Sequence, residues 1–164
     1  MIKLWDENVA FSSTSNVEFP KQIEYITVHQ GIKDHYEFSL GAIVEKFNGR
    51  LFVTWGASKK LENDSGSIMA YKYSDDDGET WSDYKVIAPG SDSLDANSHG
   101  AFYVNDDTLY AFAPIARYGS DEPTHNYPNL CMQLYKYHFD EDNWEYKDIV
   151  NNEYFWPLCE PIKL

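Results

Sequence analysis

The chain has 164 residues, 43% of them hydrophobic, enough for one domain with a buried core and too many for wholesale disorder. Lys plus Arg number 13 against 27 for Asp plus Glu, a net charge of −14, which excludes nucleic acid and anionic membrane surfaces as partners. No apolar run approaches the ~18–20 residues that span a bilayer. The N-terminal Met1-Ile2-Lys3-Leu4-Trp5-Asp6-Glu7 lacks the charged start and apolar middle of a secretory signal.

The predicted elements are all strands, because no apolar stripe of helical period exceeds about two turns. In chain order they are Ile23–His29, Leu40–Phe47, Leu51–Ala57, Ser67–Ser74, Tyr84–Ala88, Gly100–Val104, Thr108–Ile115, Leu130–His138 and Trp144–Val150. Turn residues separate them: Asn48-Gly49, Asp76-Asp77-Gly78, Pro89-Gly90, Asn105-Asp106-Asp107 and Asp140–Asn143. Asn-Gly between two apolar runs is a strong hairpin signal. Aromatic residues make up 16%, with 13 Tyr, 9 Phe and 5 Trp. Most of these fit the half-buried faces of a sheet, and some suit a carbohydrate site, where a flat ring packs on a sugar. Cys131 and Cys159 show no metal spacing and read as two buried thiols, a disulfide being the alternative.

The chain also repeats itself. Tyr71-Lys72-Tyr73, an acidic turn, Trp81 and Tyr84-Lys85-Val86-Ile87 are echoed by Tyr135-Lys136-Tyr137, an acidic turn, Trp144 and Tyr146-Lys147-Asp148-Ile149. A self-similar period near 60 residues built of four strands is the mark of a propeller blade. The expected organisation is a lead-in over residues 1–20 and one propeller region over 21–164. Its blades span about 39–88 and 98–150, a third begins at 154–164, and strand 23–29 belongs to the rim of another blade. A six-bladed ring needs ~360 residues. The chain therefore reads as a fragment, or as a unit that self-associates to complete the ring.

Ser74-Asp75-Asp76-Asp77-Gly78-Glu79-Thr80-Trp81 matches S-x-D-x-G-x-T-W at each fixed position. In such a turn the Asp bonds backbone amides, the Gly takes a positive φ, and the Trp anchors the turn from below. Ser74, Asp76, Gly78, Thr80 and Trp81 are thus structural candidates. An EF-hand needs a longer loop closed by a glutamate, which is absent here. His29, His35, His99, His125 and His138 show no ligand spacing, so no metal or cofactor is expected.

With its repeat, this turn makes the chain resemble the sialidase-like, Asp-box (BNR) propeller superfamily, and within it the bacterial proteins labelled exo-sialidases. The resemblance covers residues 21–164 as the N-terminal part of such a propeller. It implies an all-β partial propeller of a six-bladed ring, a glycan or oligosaccharide partner, and a secreted or periplasmic setting. It places the catalytic face at the starts of the inner strands and the loops between second and third strands. The substrate-binding candidates there are His35, Glu37, Asn97, Arg117, Tyr118, His125, Trp156 and Glu160. Asp64, ten residues before Ser74, stands where the family keeps its acid/base Asp, with Glu62 as the fallback; His99 is a further acid/base candidate.

One departure limits the activity the resemblance implies. Sialidases grip the substrate carboxylate with an arginine at the start of the first inner strand, where this chain reads Tyr36-Glu37-Phe38-Ser39. The two arginines, Arg50 and Arg117, cannot form a cluster of three. The expectation is a sialidase-like glycoside hydrolase that cleaves a different terminal sugar. The alternatives are a non-catalytic carbohydrate-binding propeller and a lyase-like propeller using His99.

Overall fold

The structure is a computed structural model that describes residues 24–33, 35–62, 64–91, 95–117, 129–151 and 156. All its regular elements are strands. The first sheet is a four-stranded antiparallel meander of β1 (Phe38–Phe47), β2 (Arg50–Ser58), β3 (Ile68–Ser74) and β4 (Lys85–Ala88). The second contains β5 (Ala96–Asn97), β6 (Ala101–Asn105), β7 (Thr108–Ala116), β8 (Cys131–His138) and β9 (Asn143–Asn151). β5 and β6 both pair with β7, at its two ends, so together they act as one interrupted inner strand. Two four-stranded blades result, with the same order from inner to outer strand.

The turns follow from local chemistry. Asn48 (φ 49°) and Gly49 (φ 82°) join Phe47 to its partner Arg50. Two successive positive φ values match the right-handed twist of the flanking strands, and Asn-Gly adopts them at low cost. The inner-strand break in the second blade lies opposite Pro114. The Pro114 carbonyl accepts from the Ser98 amide at 3.1 Å, but proline returns no N–H to the ladder.

The main core lies between the blades. Phe47, Phe52, Met69, Tyr71 and Ile87 of the first face Phe102, Leu109, Ala111, Ala113, Tyr135 and Tyr137 of the second. Phe52 and Leu109 are wholly buried, and each large apolar side chain removed from water contributes about 1.5–3 kcal/mol. A second cluster, Val53, Trp55, Ala57, Ile68 and Ala70, covers the other face of the first blade, under Val28, Tyr36 and Trp81.

Eight of the nine predicted strands correspond to ladder strands; the short β5 has no counterpart among them. The exception is 23–29. Over its described part, Glu24–His29, the chain joins no ladder and crosses the face of the first blade instead. The His29 ring stacks on Trp55 at 4.6 Å, and Lys72 Nζ donates to the Val28 carbonyl at 3.0 Å. Side-chain contact and one lysine hold this segment, which is why its strand-like composition misleads. The lead-in at 1–20 and the third blade's start at 154–164, apart from Trp156, lie outside the described residues.

Candidate functional site

The site is built at one end of the strands, where β1 begins, β2 ends and the second blade's inner strand is interrupted. Leu40 of β1 pairs with Gly56 of β2, and the ladder shifts register between Leu40 and Ile43. This bulge places Gly41 at φ +66°. His99, in the gap between β5 and β6, packs directly over it. A Cβ at Gly41 would lie 2.2 Å from the imidazole, and one at Gly56 would lie 2.7 Å from the His99 amide nitrogen. Both distances are below any tolerable contact, so only glycine fits at these two positions.

Ser98 Oγ lies 3.2 Å from His99 Nδ1. Trp156 closes the third side: its ring centroid is 5.2 Å from that of His99, and its Nε1 donates to the His99 carbonyl at 3.2 Å. Trp156 itself rests on Ala96, Ala116 and Leu130. Burial pulls the His99 pKa below the ordinary histidine value, and the charge of Glu62 opposes that shift. His99 is therefore a half-buried imidazole, neutral at neutral pH, that feels the charge of an exposed carboxylate from the other blade.

The loop from Lys59 to Ser67 carries both carboxyl candidates, and the structure separates their surroundings. Asp64 Oδ2 accepts from the amides of Lys60 at 2.9 Å and Leu61 at 2.8 Å. The Asp64 carbonyl accepts from the Ser67 amide at 3.0 Å and also from the Ser67 hydroxyl. Asp64 thus shapes the loop, whereas Glu62 stands exposed on it. Beside the loop, His35, Tyr36, Glu37, Lys59 and Lys60 line an open cleft of about 400 Å³. Glu37 donates its amide to the Lys59 carbonyl at 3.2 Å, which ties the cleft's two walls together.

Asn97 does not line the cleft. It is 3% exposed; its Nδ2 donates to the Pro89 carbonyl at 2.7 Å, and its Oδ1 accepts from Gln133 Nε2 at 2.7 Å. Both ends of the amide are consumed inside the protein, so Asn97 braces the two blades. Arg117 is exposed, and its carbonyl accepts from Asn129 Nδ2 at 3.2 Å. Tyr118, His125 and Glu160 lie outside the described residues. Among the described residues, no three His, Cys, Asp or Glu side chains converge to hold a metal ion.

The Ser74–Trp81 turn is a self-contained hydrogen-bonded unit. Asp76 Oδ1 accepts from Ser74 Oγ at 2.7 Å and from the Thr80 amide at 2.9 Å, and Oδ2 accepts from Thr80 Oγ1 at 2.6 Å. Ser74 Oγ accepts from the Gly78 amide at 2.8 Å, and Trp81 Nε1 donates to the Gly78 carbonyl at 3.0 Å. Gly78 has φ +97°, with the Trp81 ring 3.7 Å from where its Cβ would stand. The Thr80 hydroxyl and amide and the Ser74 hydroxyl lower the Asp76 pKa to about 2. Both carboxylate oxygens are engaged within the turn.

Sequence reasoning named His99, Glu62 and Trp156 but not what seats them. Gly41 and Gly56 were missed, although glycine inside a strand often marks a bulge or a close approach. Lys59 and Lys60 were within the candidate loop but were not singled out.

Together these features define an all-β protein with the blades of a sialidase-type β-propeller. No family model matches the sequence, and no curated protein matches it. The fold is similar to solved structures of Trypanosoma rangeli sialidase. The sialic acid complex has a TM-score of 0.52 and 14% identity, covering 76% of this chain and 21% of that one. The 2,3-difluorosialic acid covalent intermediate has a TM-score of 0.52 and 15% identity, covering 71% and 20%. This chain spans about a fifth of the length of those it matches.

Proposed function

We propose that the chain supplies one sector of a sialidase-like glycoside hydrolase site that acts on a terminal sugar other than sialic acid. The observation that carries this reading is the packing of His99 over Gly41 and Gly56 and against Trp156, at the end of the blades where the loop carrying Glu62 leaves β2. Glu62, exposed on that loop, serves as the proton donor to the leaving oxygen. Asp64 holds the loop that presents it. His99 orients a sugar hydroxyl or relays a proton, and Trp156 offers a ring edge to the sugar. The second carboxylate of a two-carboxyl mechanism comes from a further sector of the propeller.

The arginines support a substrate other than sialic acid. Arg50 is committed to Asp75 and Tyr137, and Arg117 is exposed just after β7, its carbonyl held by Asn129. Glu37 occupies the cleft wall and would repel a substrate carboxylate.

The test is a panel of chromogenic terminal glycosides, neutral and sialylated, incubated with the protein and with Glu62→Gln and His99→Ala. The expected result is release from a neutral glycoside that falls about 100-fold or more in Glu62→Gln. Binding without release would point to a carbohydrate-binding module. An ultraviolet-absorbing unsaturated product would point to a lyase using His99. Release from the sialoside would defeat the argument from the arginines.

A further inference from the structure

We infer that Gly41 is a positioning residue for His99: the left-handed bulge of β1 opens the seat that aims the second blade's imidazole into the site. This deepens the proposed function by naming what holds its histidine in place, and it rests on that reading only for its catalytic meaning.

Three observations carry it. First, Gly41 lies inside a ten-residue strand at φ +66°, where the β1–β2 ladder slips register, so the strand departs from regular pairing at this point. Second, the space that departure opens is filled by one side chain. A Cβ on Gly41 would meet Cδ2 and Cγ of His99 at 2.2 Å and its Cβ at 2.7 Å. Third, the ring is also held on its other sides: Nδ1 lies 3.2 Å from Ser98 Oγ, and the Trp156 ring stands 5.2 Å away, centroid to centroid. A ring fixed by its floor, its neighbouring serine and Trp156 is what a positioned imidazole requires.

Gly49 provides the internal control. It too has a positive φ, +82°, but a Cβ there would meet nothing within 4 Å. Alanine at Gly49 therefore suffers backbone strain alone, whereas alanine at Gly41 suffers strain and the collision with His99.

The experiment follows the imidazole by proton NMR across pH and records thermal melts, both without substrate. His99→Ala identifies the His99 resonance by its loss. In the wild type the midpoint should fall below that of a free histidine, burial lowering it and the charge of Glu62 opposing. In Gly41→Ala the midpoint of the displaced ring should rise toward that of a free histidine. In Gly49→Ala it should titrate as in the wild type. The double variant Gly41→Ala/His99→Ala should recover part of the melting temperature that Gly41→Ala loses beyond Gly49→Ala, because it removes the 2.2 Å contacts with Cγ and Cδ2 and leaves the 2.7 Å contact with Cβ. An unchanged His99 midpoint in folded Gly41→Ala, or no recovery in the double variant, overturns the inference. Neither readout requires turnover. A failed glycoside panel therefore removes the proposed function without deciding this point, and a failed titration leaves the panel standing.

Discussion

Arg50, at the start of the first blade's second strand, donates from Nη1 to the phenolic oxygen of Tyr137 in the second blade at 2.9 Å. The same guanidinium grips Asp75 through Nε at 2.7 Å and Nη2 at 3.1 Å. It lies 3.8 Å over the Tyr73 ring and 4.8 Å over that of Phe139. The Tyr137 hydroxyl donates to Asp142 Oδ1 at 2.6 Å, and Asp142 also takes hydrogen bonds from Tyr73 and Lys85. A planar cation between two rings, flanked by carboxylates of both blades, forms an inter-blade clasp on the far side from the candidate site. Arg50→Met should lower stability by about 1–2 kcal/mol, since it removes the fork on the exposed Asp75, the hydrogen bond to Tyr137 and the cation–ring contacts. Arg50→Lys should recover little of this, because lysine offers neither the fork nor the flat face. Urea unfolding of the two variants measures both effects.

The inter-blade core makes a second prediction. Phe52 is wholly buried, with its ring 5.1 Å from Tyr137 and 6.2 Å from Phe102. Phe52→Ala should cost about 3–5 kcal/mol, through lost burial and the cavity left between the blades. Val44, 61% exposed on β1, should tolerate alanine within about 0.5 kcal/mol. Equal losses at the two positions would mean that the blades do not pack through this face.

The Ser74–Trp81 turn should contribute to acid sensitivity. The Asp76 pKa falls from 3.8 to about 2 in the folded chain. A carboxylate with a lowered folded pKa contributes stability that is present above its unfolded pKa and is lost as pH falls through the folded one. Asp76→Ala should therefore remove part of the pH dependence between about pH 4 and pH 2, read from urea midpoints across that range. Above that window its cost should not vary with pH.

His99 produces a slope in a different window. Its folded pKa is lowered by burial from 6.5, so just below that value the unfolded chain binds more protons. Stability should rise with pH through this window and be lost as pH falls. His99→Gln should reduce that slope. His29, lowered by burial and by Lys72, contributes with the same sign and leaves a remainder. Glu62→Gln should move the His99 NMR midpoint further down, because Glu62 opposes the burial effect. A midpoint that does not fall in Glu62→Gln would mean that the two groups do not interact.

Much of the architecture is legible because it is written in short-range patterns. Alternating apolar residues, Asn48-Gly49 and the echoed Tyr-Lys-Tyr with its following Trp determine strands, a hairpin and a repeating four-strand unit. The Ser74–Trp81 turn is equally local, since its bonds join residues within four positions. Glu24–His29 misleads because strand composition reports a half-buried extended segment and not what it packs against. Asn97 misleads for a related reason: its place at an inner strand suggests the channel, but Pro89 and Gln133 absorb its amide.

The sequence by itself determined that this is a β protein of repeated blades, where its turns fall, and which residue types stand near one end. Only the tertiary structure decided that the imidazole of His99 rests on Gly41, that the Asp64 carboxylate is bound within its own loop, and that Arg50 is occupied in joining the blades. Strand period and turn chemistry depend on neighbours a few residues away, so they can be read along the chain. Contacts between faces depend on which surfaces meet when distant segments pack, and that is settled by the burial and fit of both partners together.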